Sequence, residues 1–126
     1  MQLSDVNIQR IDLKKTVCFK NVNLLYCSYI VKSSVENKDI FNCTPIKIIT
    51  EGSDSEPVFI ETKRLSNEGY KRVAIHPNGV RVNKKIIHGL SVTVYKKEST
   101  YMLICHSSVN TAINLFKFNR RFTVEI

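Results

Sequence analysis

The stretch LLYCSYIVK at 24–32 constrains this chain most. It is apolar at consecutive positions, and it is too short to cross a bilayer as a helix. An extended segment with both faces apolar belongs in the middle of a sheet, with cover on each side. Its neighbours repeat the theme in weaker form. VNIQRIDL (6–13), TVCFK (16–20), PIKIIT (45–50) and VFIETK (58–63) alternate with period two, as half-buried strands do. In PIKIIT the pattern turns Ile46 and Ile48 inward and Lys47 outward, and in VFIETK it puts Val58 and Ile60 on one face. The polar run 33–42 reads as a loop or short helical turn, 51–57 reads as a loop, and 64–69 reads as a turn region.

Further strands are expected at 86–97, broken at Gly89, then at 101–106 after the turn KEST, and finally at 122–126. Only 107–119 carries a helical stripe. Val109, Ala112, Ile113 and Phe116 recur at i, i+3, i+4 and i+7, Ser108 can cap them, and Lys117, Arg120 and Arg121 follow where the helix dipole favours positive charge. The expected architecture is mainly β: one domain over 1–126, an antiparallel sheet closed as a barrel or packed as a sandwich, with one C-terminal helix. Hydrophobic residues at 43% and charged residues at 24% exclude wholesale disorder.

The segment KRVAIHPNGVRVNKK (71–85) holds five basic residues, no acid, and a turn signal at its centre. Asn-Gly between alternating apolar residues predicts a hairpin. A two-residue loop at Asn78-Gly79 would gather Val73, Ile75, Pro77, Val80 and Val82 on one face and the basic residues on the other. Pro77 has no N–H for the closing pair, and Pro-Asn-Gly equally suits a type I turn with a bulge, which shifts the register by one.

Charge is segregated along the chain. The formal net charge is +8; residues 1–68 hold nine basic and nine acidic residues, and residues 69–126 hold ten basic and two acidic. Such segregation points to a polyanionic partner. The candidate contacts are Lys71, Arg72, Arg81, Lys84, Lys85, Lys96 and Lys97 for phosphates, with Tyr95 and Tyr101 for stacking on unpaired bases. The helix has no basic residue before Lys117, so it is a poor recognition helix. The expected activity is backbone contact with nucleic acid, single-stranded or non-specific, with DNA and RNA unresolved. The alternative is an adaptor that forms homo- or hetero-oligomers through sheet edges and turns its basic surface to an acidic partner. An anionic membrane is a third partner for the charge, but no basic amphipathic helix or lipidation signal supports it.

No catalytic motif emerges. His76, His88 and His106 sit in no H-E-x-x-H, there is no G-x-S-x-G, and four glycines leave no phosphate-cradling loop. The pair Asp54 and Glu56 reads as solvated loop. Cys18, Cys27, Cys43 and Cys105 are spaced by nine, sixteen and sixty-two positions, which is not zinc-ligand spacing, so neither metal nor cofactor is expected. The first residues lack the apolar core of a signal peptide, so an intracellular protein with reduced, buried thiols is the expectation. Abundant Lys, Asn and Ile suit an AT-rich coding genome such as that of a virus or parasite.

Overall fold

The computed structural model describes residues 26–37, 40–51, 55–116 and 121–126. The expected strands at 6–13 and 16–20, Cys18, Asp54, and the basic residues Lys117 and Arg120 lie outside the described residues.

Eight described strands form one antiparallel sheet. They are β1 (Tyr26–Asn37), β2 (Ile40–Glu51), β3 (Lys71–His76), β4 (Arg81–Val82), β5 (Lys85–Ile86), β6 (Ser91–Lys97), β7 (Thr100–Ser108) and β8 (Phe122–Glu125), in the order β3-β6-β7-β1-β2-β8-β4-β5. The doubly apolar stretch lies in β1, at the middle of the sheet, as its pattern requires. A flat sheet at ~4.8 Å per strand would hold β3 and β4 roughly 29 Å apart over six steps. The link between them, 77–80, reaches no more than about 18 Å. The sheet therefore curls, and its shape is a half-barrel.

Curling makes the two faces unequal. The concave face gathers Cys27, Tyr29, Val31, Cys43, Val82, Val92, Val94, Leu103, Cys105, Phe122 and Val124, which come from strands near both edges and meet only inside the curl. Helix α2 (Val109–Phe116) covers this core with Val109 and Ala112. Ser108 Oγ accepts the Thr111 N–H at 3.2 Å, so this helix starts where its cap signal put it. The described cysteines Cys27, Cys43 and Cys105 are buried in the core and form no disulfide with one another, and burial pushes Cys43 up to about 12.

The convex face is covered by a second helix, α1 (Glu56–Asn67), where a loop followed by a strand was expected. Its start signals are Ser55 in the cap position, Glu56 in the first turn and Pro57 at its beginning. Val58 and Leu65 seat it over Ile30, Ile46, Ile49, Tyr95, Ile104 and Met102. The apolar stripe is thin because Glu61 occupies its centre, while Phe59 and Ile60 stay 63% and 58% exposed. Glu61 is nevertheless buried. Burial alone would raise its carboxyl, but the hydrogen bond from Arg64 and the charges of Lys47 (3.3 Å) and Arg64 hold it below the usual carboxylate range. Lys47 thus faces outward, as the alternation of PIKIIT requires, but toward a partner. Ile46 and Ile48 do not share a face, because irregular pairing near Ile30 and Val31 takes one to each core.

Two further expectations change. Residues 33–42 are not a loop, since β1 and β2 run on through Asn37 and from Ile40. Nor do the halves of 71–85 pair with each other: among the described strands β3 pairs only with β6, while β4 pairs with β5 and β8. The hairpin closes five residues later, at Asn83-Lys84, where both residues have positive φ (51° and 73°), the sign of a type I′ turn. Asn78 instead ties two loops together, its Oδ1 accepting the N–H groups of Gly79 and Gly89, each at 2.8 Å. Val80 and Val82 enter the core, whereas Val73 and Ile75 remain exposed on β3, the outermost described strand at that side of the sheet. Among the described residues, no helix is long and apolar enough to cross a membrane.

Candidate nucleic-acid interface

Residues paired across neighbouring strands point to the same face. The pairings Arg72↔Tyr95, Tyr95↔Met102, Met102↔Lys32 and Lys32↔Thr44 define one row across the convex face. The pairing Cys43↔Phe122 sets Arg121 beside Thr44 at its end. A second row lies two residues further along: Lys97↔Thr100, then Ser34↔Asn42 and Asn42↔Thr123. Thr123 joins the β4–β5 turn, donating its N–H to Asn83 Oδ1 at 3.0 Å and accepting the Asn83 N–H at 3.0 Å. Arg72, Lys97, Lys32 and Arg121 therefore form a basic band on one face, spread from the β3 edge to β8, with Tyr95 and Met102 between Arg72 and Lys32 and with hydroxyl and amide side chains from there to Arg121. All four cations are exposed.

The concave side of the same end carries a smaller basic corner. Lys71 and Lys96 lie directly opposite each other on β3 and β6, and Lys96 Nζ stands 5.5 Å from the centre of the Tyr101 ring. Like charges facing each other across a ladder are destabilising without an anion between them. Tyr101 packs edge-on against Phe41, ring centres 5.3 Å apart, so one part of it is committed to the core and the rest is open. Lys97 Nζ lies 5.8 Å from the Tyr70 ring centre, and its chain rests against Gly69.

The candidates are thus divided among three places. Lys71, Lys96 and Tyr101 share the concave corner, and Arg72 and Lys97 belong to the convex band. Arg81, Lys84 and Lys85 are on the hairpin at the far edge: Lys84 in the turn, Lys85 opposite Val82, and Arg81 opposite Glu125, whose charge opposes its own. Tyr95 does not reach solvent as a stacking platform. It is 8% exposed beneath α1 against Ile30, Leu65 and Ile104, and burial pushes its phenol up despite the nearby Arg72. The alternation that turned Tyr95 away from the concave core holds, but α1 covers the face it turns to.

Lys32 and Arg121 were not among the sequence candidates. Lys32 closes an apolar run, and Arg121 reads as a complement to a helix dipole; strand pairing alone brings them together. Among the described residues, the ion pairs involve Lys47 and Arg64 with Glu61, and Arg64 with Glu68 at 2.6 Å. The band takes no part in them. Among the described residues, no group of three or more His, Cys, Asp or Glu side chains is arranged to hold a metal ion. No family model, curated protein or solved structure matches the chain.

Proposed function

We propose that this chain binds nucleic acid through the phosphate backbone, with single strands favoured. The observation that carries the reading is the convex basic band, in which Arg72, Lys97, Lys32 and Arg121 share a face outside the ion pairs of α1. The opposed Lys71 and Lys96 beside Tyr101 add a corner where phosphate relieves repulsion and a base can lie on the ring. Four phosphate contacts on a single strand give a salt slope of about −3, or roughly a fiftyfold loss of affinity between 50 and 200 mM salt. The test is fluorescence anisotropy with single-stranded and duplex DNA and RNA at those two salt concentrations. The double variant Arg72→Glu, Lys97→Glu should fold, bind every sequence more weakly, and show a shallower slope. A parent that binds none of these ligands at 50 mM salt refutes the reading.

A second reading rests on the outer side of β3, which no described strand pairs and where Val73 and Ile75 are 54% and 55% exposed. Such an edge accepts another strand, and a second copy of this chain could supply it.

A further inference from the structure

We infer that the groove between Lys32 and Arg121 is a phosphate-binding subsite. It is a shallow depression of about 230 Å³ on the convex face, lined by Lys32, Ser33, Ser34, Asn42, Thr44 and Arg121. Two of its six lining side chains are cationic and none is acidic. The backbone fixes this composition. Lys32 pairs with Thr44 and Ser34 with Asn42, so two strands present four polar side chains upward in two adjacent rows. Arg121, entering β8, closes the far wall beside Thr44.

The hydroxyl of Ser33 belongs to the structure, since it donates to the Ser34 carbonyl at 3.2 Å and receives the thiol of Cys43. That leaves Ser34, Thr44 and Asn42 to offer neutral donors to a ligand. Lys32 and Arg121 stand two strands apart, about 10 Å along the sheet. Both side chains are long enough to converge on one anion between them. The guanidinium supplies a two-pronged contact and the ammonium a point charge. At about 230 Å³, the groove has room for a phosphate group. As a backbone contact the subsite rests on the nucleic-acid reading, while its affinity for phosphate does not.

The test uses the full chain in amide-resolved NMR titrations with inorganic phosphate, against sodium chloride at matched ionic strength. It pairs these with anisotropy titrations of a single-stranded oligonucleotide. Phosphate should shift the amides of Ser34, Asn42 and Thr44 saturably in the parent, and not in Lys32→Ala or Arg121→Ala. Both residues are exposed, and unchanged thermal melts will verify folding. Each variant should also lower the oligonucleotide salt slope by about 0.7. Equal shifts with chloride overturn the subsite. So does a parent that binds the oligonucleotide with a slope that the double alanine variant leaves unchanged. If phosphate saturates the groove but the oligonucleotide does not bind, the subsite stands and the nucleic-acid reading falls.

Discussion

Tyr95 separates a structural role from a binding role. Its ring lies in the second core, between α1 and the convex face, and packs with Leu65, Ile30 and Ile104. A buried aromatic side chain removes roughly 150–250 Å² from water, worth about 4–6 kcal/mol at ~25 cal/mol/Å². That is an upper bound, because the unfolded chain already hides part of this surface and alanine retains its Cβ. Measured truncations of buried aromatics cost about 3–5 kcal/mol, so Tyr95→Ala should lose ~4 kcal/mol of folding stability. With a urea dependence of about 2 kcal/mol/M, the midpoint falls by roughly 2 M. Tyr95→Phe keeps the packing and removes only a hydroxyl at the rim, so its loss stays within about 1 kcal/mol. Urea titrations followed by circular dichroism give both values, and oligonucleotide binding by the Phe variant should match the parent. The reasoning is refuted if Tyr95→Ala unfolds at the parent's midpoint while single-strand binding drops by more than about tenfold, the size expected for a lost stacking contact.

Two other outcomes follow from the convex face and its edge. The Glu61 carboxylate is held below its unfolded value, so its contribution is full above the unfolded pKa and disappears as pH falls through the folded one. Stability should therefore decline on acidification below about pH 4, and Glu61→Gln should remove part of that decline while costing roughly 1–3 kcal/mol at neutral pH; a Gln variant with the parent's stability at neutral pH and an identical acid limb would exclude this role. Replacing Val73 and Ile75 with Lys should change stability by no more than ~0.5 kcal/mol per site, since both are exposed, and should move any self-association to higher concentration in sedimentation equilibrium. A parent that sediments as a monomer throughout removes β3 pairing with a second copy.

The sequence by itself determined the elements whose local signals agreed with their burial. The doubly apolar stretch at 24–32 could only be satisfied inside a covered sheet, and Tyr26–Asn37 is the fourth of the eight described strands across the sheet. Ser108 and the 3.6-residue stripe after it define α2, and the break at Gly89 (φ 80°) separates β5 from β6. What only the tertiary structure decided has a common cause: strand partners are chosen by the whole sheet. The segment 71–85 carries a strong hairpin signal, but Val80 and Val82 gain more by entering the concave core than by facing Val73 and Ile75. The chain therefore crosses from one sheet edge to the other, and the turn forms at Asn83-Lys84. For VFIETK, period two and the start signals of a helix compete over a few residues. Contact with Ile30 and Ile104, far away in sequence, favours the helix, and that helix then buries Tyr95. The basic band is the clearest case. Lys32 and Arg121 are 89 positions apart, and neither has a distinctive sequence context; they become neighbours because β2 pairs with β1 on one side and with β8 on the other. Alternation fixes which side of its own strand a residue takes. It carries no information about which strand lies alongside, and a surface that spans six strands depends on that.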